Sequence, residues 1–140
     1  MKTLLVVAAA IINDKNEVLL AQRPAGKQLA GSWEFPGGKV EKDEAPEAAL
    51  ARELGEELGI DVATDDMEAF WFLSHDYVEQ FGFHLLMPVY LIRKWVGDPQ
   101  ALEHDALIWR APSAMKELGM IEADMGLVEK LDKYLLECVA

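Results

Sequence analysis

Between Arg52 and Gly59 the chain carries three glutamates, Glu53, Glu56 and Glu57, inside a run of Ala, Leu, Glu and Arg that extends from Pro46 to Leu58. That run predicts a helix, with Pro46 at a first-turn position, Ala45 as an N-cap lacking a side-chain acceptor, and Gly59 as the stop. A helix turns about 100° per residue, so with Leu50 at zero, Leu54 and Leu58 lie within about 80° while Glu53, Glu56 and Glu57 fall near 300°, 240° and 340°. One flank is apolar and the other anionic. Like charges at these spacings repel by a few tenths of a kcal/mol per pair, and a divalent cation reverses the sign of that interaction. Oxygen-only ligands select a hard ion, and Mg²⁺ commonly combines one or two carboxylates with substrate phosphates. An acidic helix face beside the Gly37-Gly38 turn therefore points to Mg²⁺-polyphosphate chemistry. In an acidic chain, however, a charged helix face is more often simply solvated, so the triplet does not decide by itself.

The flanking spacing does decide. Gly38 is followed after five residues by Glu44, and after seven more by Arg52-Glu53-Leu54-Gly55-Glu56-Glu57-Leu58-Gly59-Ile60. This stretch, 38–60, resembles the Nudix box, G-x5-E-x7-R-E-U-x-E-E-x-G-U with U apolar, at every specified position. The order of elements outside the box is also similar to that family's. The resemblance implies an α/β fold, an α/β/α sandwich with a mixed β-sheet between helices, as one domain over 1–140. It implies hydrolysis of a nucleoside diphosphate linked to another group, with Mg²⁺ as cofactor and Mn²⁺ as a substitute. By position in the box, Glu56 and Glu57 are expected to bind metal, Glu53 to bind metal or activate water, the Gly38 or Gly37 carbonyl to add an oxygen donor, and Arg52 to orient Glu53. Glu44 matches with a less direct role. The implied chemistry is in-line attack of water on phosphorus, with metal ions offsetting the charge of the leaving pyrophosphate.

Outside the box the resemblance carries further. Lys39 after the Gly-Gly turn and Arg23 after the second strand are similar in position to phosphate contacts of the MutT-type branch. Glu103, in Leu102-Glu103-His104-Asp105, stands where related enzymes place a loop glutamate that reaches the metal or acts as base. The choice of Glu53 or Glu103 as base stays open. His75 and His104 belong to no cluster with metal-ligand spacing and are expected to be structural.

Fold does not choose a substrate. Trp33-Glu34-Phe35-Pro36-Gly37-Gly38-Lys39 resembles the 8-oxo-dGTP enzymes, while Glu103-His104 through Trp109 and Ala123-Asp124 look more like the CTP or modified-pyrimidine pyrophosphohydrolases. The proline expected of ADP-ribose enzymes is replaced by His75-Asp76, and Tyr77 keeps a dinucleoside-polyphosphate reading open. Asp124 aligns with a base-contacting asparagine. An amide donates and accepts, but an ionised carboxylate only accepts, so Asp124 suits the N4 amine of cytosine or N1–H and N2–H₂ of guanine, and reaches O6 only when protonated. Phe35 and Tyr77 are candidates to pack on the base, with Met87 in the pocket lining. The reading from another class is a non-catalytic nucleotide-binding module. Intact Arg52, Glu53, Glu56 and Glu57 oppose it.

The elements that must position these residues are legible in outline. Val6 to Ile12 and Val18 to Leu20 flank the turn formers Asn13 to Asn16 and predict a hairpin. Phe70 to Val78 and Phe83 to Trp95, joined by Glu79 to Gly82, predict a second. A strand over Ala106 to Arg110 precedes a helix begun by Pro112, and Leu127, Leu131 and Leu135 give the spacing of an amphipathic helix over 124–137. Strands interleaved with helices indicate a mixed sheet covered on both faces.

Composition bounds the partners. Of the 140 residues, 13 are Lys or Arg and 25 Asp or Glu, a formal charge of −12, which disfavours nucleic-acid polymers and anionic lipid and makes a bridging cation necessary for an anionic substrate. The longest apolar run, Leu4 to Ile12, is nine residues, about half a membrane span, and reads as a buried strand. The single cysteine, Cys138, makes no internal disulfide and is expected to pack. A cytoplasmic enzyme acting on a small nucleotide, as a monomer or homodimer, is the resulting expectation.

Overall fold

The computed structural model describes residues 2–138. The strands are β1 (Lys2–Ile11), β2 (Val18–Gln22), β3 (Trp33–Glu34), β4 (Gly37–Lys39), β5 (Met67–Tyr77), β6 (Phe83–Ile92) and β7 (Ala106–Arg110). The α-helices are α1 (Pro46–Leu58), the single turn α2 (Val78–Phe81) and α3 (Met125–Cys138).

A four-stranded mixed sheet runs β4-β1-β6-β5, with β1 parallel to β6 and the other pairs antiparallel. A three-stranded antiparallel sheet runs β3-β2-β7. The apolar run in β1 is continuous because both of its faces are covered. Val7, Ala9 and Ile11 pack with Leu50, Leu54 and Leu58 of α1. Ala8 and Ala10 belong to the opposite core, with Leu127, Leu131 and Leu135 of α3. The result is helix, sheet, helix, with the alternation of a strand dividing one sequence run between two cores. The three α1 leucines are fully buried, each worth about 1.5–3 kcal/mol relative to exposure, so apolar burial on one flank holds the acidic flank in place.

α1 begins and ends where its residues predict. Ala45 makes no side-chain cap, Pro46 opens the first turn, and Gly59 closes the helix in the left-handed conformation at φ 69°, its N–H donating to Gly55 O at 3.1 Å. The first predicted hairpin is corrected. Asn13 shapes the turn, its Oδ1 accepting from Lys15 N at 3.0 Å and Glu17 N at 2.9 Å, but β1 and β2 share only the Ile12–Val18 bridge. Both edges of β1 are already taken by β4 and β6, so β2 diverges into the second sheet. The expected mixed sheet between helices is present, and a second, three-stranded sheet accompanies it. The second hairpin forms between β5 and β6, ending at Ile92 instead of Trp95, with α2 in its connection. Pro112–Glu117 is a 3₁₀ turn where a helix is expected. Cys138 is exposed at the end of α3 and does not pack. No described helix is long and apolar enough to cross a membrane.

β4 crosses β1 so closely that Gly37, opposite Ala8, has no room for a side chain. A Cβ there would strike the Val7 carbonyl and the Ala8 Cα, which are backbone atoms in the middle of a sheet and unable to yield. Overpacking of this kind costs about 1–3 kcal/mol. Gly37→Ala is expected to lower the melting temperature by roughly 5–10 °C in a calorimetric scan, and an unchanged value would show that β4 yields.

Candidate active site

Arg52 organises the acidic face. Its Nε and Nη2 donate to the two carboxylate oxygens of Glu44 at 2.9 and 3.0 Å, Nη1 donates to Glu53 at 2.9 Å and to Glu56 at 3.4 Å, and Nη2 also reaches the Lys39 carbonyl at 3.1 Å. The rigid guanidinium fork thereby ties α1 to its preceding loop and to the end of β4. The arginine hydrogen bonds, helped by the Glu41 amide, hold the Glu44 carboxyl down at about 2. The same contact with Glu44 raises the Arg52 pKa further, so its charge is permanent.

The Gly37-Gly38 turn receives the carboxylates. Gly37 N–H donates to Glu57 Oε2 at 3.1 Å, and the Glu53 carboxylate occupies the space that a Cβ on Gly38 would fill. Glu57 is buried, at 7% exposure. Burial first, and then the negative charges of Glu53 and Glu34, push its pKa up to about 9 against the opposing Gly37 amide. Burial also raises Glu53 above the usual carboxylate range, Arg52 opposing, with Glu56 and Glu103 adding repulsion.

These groups open onto a cleft of about 850 Å³. Arg23, Phe35, Gly38, Lys39, Glu53, Glu57, Tyr77, Glu103 and Asp124 all line it. Arg52 and Glu56 do not line it, and the Glu56 side chain is 51% exposed on the outer side of Arg52. A groove of similar size, about 810 Å³, lies between the Pro112–Glu117 turn and α3 and holds no residue of the box.

Asp124, 5% exposed, closes the far wall of the cleft, where its Oδ2 accepts from Phe35 N–H at 3.3 Å. Burial, with the charge of Glu34 adding, raises its pKa to about 7 against the Phe35 amide and Arg23. The Tyr77 ring packs on His75, Phe81 and Phe83 with centroids 4.5, 5.3 and 5.7 Å away, and its hydroxyl is buried. Burial raises the Tyr77 pKa. Both Phe35 and Tyr77 are thus core and cleft wall at once.

Two cleft residues escape the sequence reading. Glu34 accepts from Arg23 Nη1 at 3.1 and 3.3 Å and faces His104 Nε2 at 3.1 Å. Its one sequence signal is its place inside the Trp33-to-Lys39 motif. His104, expected to be structural, lines the cleft with its side chain 6% exposed, whereas His75 packs on Tyr77. Nothing in linear spacing reveals that a β3 carboxylate meets a loop imidazole 70 residues away.

The donor set fits a hard divalent cation. It is all oxygen, and beyond burial the charges of Glu53, Glu34 and Glu103 raise the Glu57 pKa while those of Glu56 and Glu103 raise that of Glu53, a repulsion that a dication converts to attraction. Among the described residues no three His, Cys, Asp or Glu side chains are grouped so as to hold a metal ion by themselves.

Comparison with known proteins identifies the family. The CTP pyrophosphohydrolase of Escherichia coli strain K12 is 42% identical over 123 residues, spanning 88% of this chain and 87% of that one. The 8-oxo-dGTP diphosphatase of Proteus vulgaris is 43% identical over 93 residues, 66% of this chain and 79% of that one. The crystal structure of the MutT NUDIX hydrolase from Burkholderia pseudomallei superposes with a TM-score of 0.82 at 32% identity, covering 93% of this chain and 98% of that one. The sequence model of the NUDIX domain matches residues 2–131, and with an arginine-braced glutamate helix set against a Gly-Gly turn, the chain belongs to the NUDIX family of hydrolases.

Proposed function

We propose that the chain, as one catalytic domain, is a Mg²⁺-dependent nucleoside triphosphate pyrophosphohydrolase that converts oxidised or modified (d)NTPs such as 8-oxo-dGTP to the monophosphate and pyrophosphate. One observation carries this reading: a single cleft is lined by Glu53, Glu57 and Glu103, by the cations Arg23 and Lys39, and by Phe35, Tyr77 and Asp124. Acid, phosphate-binding and base-binding chemistry are thereby offered to one small molecule. Sanitation of a cytoplasmic nucleotide pool, by a monomer or homodimer, is the setting this chemistry suits.

Glu53, Glu57 and Glu103, with the Gly38 carbonyl, would hold Mg²⁺, for which Mn²⁺ can substitute, and Glu56 would join from the rim. The ion supplies charge neutralisation for the polyphosphate when bound. The chain's own residues do the rest. Arg23 and Lys39 offset phosphate charge, and Arg52 holds the Glu53 carboxylate over Gly38. Glu53 takes a proton from the attacking water. The water oxygen bonds to phosphorus as the anhydride bond to pyrophosphate breaks. Phe35 and Tyr77 pack on the base, and Asp124 reads its edge.

A second reading, CTP or 5-methyl-dCTP hydrolysis, is favoured by Asp124 itself. As a carboxylate it accepts from the N4 amine of cytosine, whereas contact with a guanine O6 needs its protonated form.

Hydrolysis of CTP, 5-methyl-dCTP, 8-oxo-dGTP, dGTP, ADP-ribose and Ap4A at equal concentration, followed by loss of substrate and identity of the nucleotide products with and without Mg²⁺, tests the proposal. The modified triphosphates are expected to lead, only with metal present, and preference for ADP-ribose or Ap4A would overturn it. Glu53→Gln is expected to lose roughly 10²–10⁴-fold in kcat, and a fully active variant would remove Glu53 as base. Gly38→Ala displaces the Glu53 carboxylate, not backbone, so it is expected to lose about 10²-fold in rate with little change in melting temperature.

Asp124 also sets a pH dependence of stability. Its pKa rises from the ordinary 3.8 to about 7 on folding, so between these values the folded chain keeps a proton that the unfolded chain has released. Stability is therefore lost as pH climbs through that window, and the penalty is complete above it. Asp124→Asn carries no such proton. Its melting temperature relative to wild type is expected to rise between pH 5 and pH 8 (roughly two units below and one above the shifted value), and a constant difference would contradict the burial of this acid.

A further inference from the structure

The cleft contains one polar linkage that the proposed chemistry does not use. Glu34 receives two donors from different elements: Arg23 Nη1 from the end of β2, and His104 from the loop before β7. An ionised carboxylate only accepts, so the hydrogen between Glu34 and His104 is carried by the imidazole Nε2. The ring is nearly enclosed, at 6% exposure, and its Nδ1 is buried with no hydrogen-bond partner among the described residues.

The position of this ring in the chain gives it consequence. The neighbouring residue is Glu103, whose side chain is exposed in the cleft and makes no hydrogen bond among the described residues. Backbone bonds flank it, from Leu102 N–H to the Glu57 carbonyl at 3.1 Å and from Asp105 N–H to the Gln22 carbonyl at 3.1 Å. Between those two pins, His104 is the side chain that fastens the loop to the cleft wall. At the other end of the linkage, Arg23 donates from Nε to the Gln28 carbonyl at 2.6 Å and from Nη1 to Glu34. Two fixed donors define the guanidinium plane, and Nη2, which donates to no described acceptor, is left for a ligand.

We propose that His104 is a positioning residue: by donating from Nε2 to Glu34 it locks, through one carboxylate, both the guanidinium plane of Arg23 and the loop that presents Glu103. The proposal rests on the roles assigned above to Arg23 and Glu103. Glu34 suits the task because its charge is felt at both Glu57 and Asp124, which puts it between the acidic and the base-binding walls. Removing the imidazole frees Glu34 to turn with Arg23 and leaves Glu103 held by backbone alone.

Two measurements test this. In steady-state kinetics with saturating Mg²⁺ and the best substrate of the nucleotide screen, His104→Ala is expected to lose about 10–100-fold in kcat, the range for a group that orients another ligand. His104→Gln, which keeps a donor at similar reach, is expected to recover most of it, and His104→Ala is expected to cost a smaller factor in a Glu103→Ala background than in the wild type, the remainder acting through Arg23. In native-state amide hydrogen exchange on metal-free protein, His104→Ala is expected to speed exchange at 102–105 while β1 and β6 stay protected. Wild-type kcat in His104→Ala, equal loss in the Ala and Gln variants, or multiplicative loss with Glu103→Ala would each overturn the proposal, as would unchanged exchange at 102–105. If the wild-type enzyme hydrolyses none of the screened nucleotides, the substrate reading fails, and the exchange result still decides whether His104 fastens the loop.

Discussion

The site depends on how Arg52 is held. A cluster of glutamates on one helix flank is unfavourable in isolation, and the guanidinium converts part of that repulsion into directed hydrogen bonds. Its fork meets Glu44 with two nitrogens and Glu53 with the third, so the carboxylate over Gly38 is fixed from both sides by covalent geometry and one cation. A lysine has the same charge but no fork, and would leave Glu53 free to rotate. The spacing from Glu44 to Arg52 is therefore the distance over which a loop and the first turns of α1 return to the same point in space.

Glycine supplies the complementary constraint. At Gly37 the missing side chain lets β4 lie against β1, and at Gly38 it lets a carboxylate lie against β4. The two neighbouring glycines thus answer different demands, one of packing and one of chemistry. Glu57 shows the cost of the arrangement. It is taken out of water with one amide for compensation and other carboxylates nearby, a state that disfavours its ionised form until a cation arrives.

The cleft also joins two economies of burial. Phe35 and Tyr77 belong to the core between the sheet and α3, and the same rings line the cavity. A base stacked there would extend an apolar core already built for stability. On the proposed reading, polar discrimination would fall to few groups, chiefly Asp124 and the Tyr77 hydroxyl. The strongly negative chain makes this economical as well. The lysines and arginines lining the cleft are few, Arg23, Lys27 and Lys39, so on the proposed reading phosphate would be met by such cations together with a metal.

Much of this was legible before any fold was drawn. The bounds of α1, its leucine flank and its glutamate flank follow from local periodicity, and Gly59 ends it because a left-handed residue is needed there. The strand at Ala106–Arg110 and the β5–β6 pair likewise follow from short-range pattern. The box residues were readable because their spacing is set within one loop and one helix. Tertiary structure alone decided that β1 and β2 part into separate sheets, since the competition for the edges of β1 comes from β4 and β6, which are distant in sequence. It also decided that Glu56 faces outward while Glu57 turns in, and that Glu34, Arg23 and His104 meet. Helical phase orders side chains around an axis, but which sector is covered, and which far residue covers it, depends on packing between elements that no local pattern encodes.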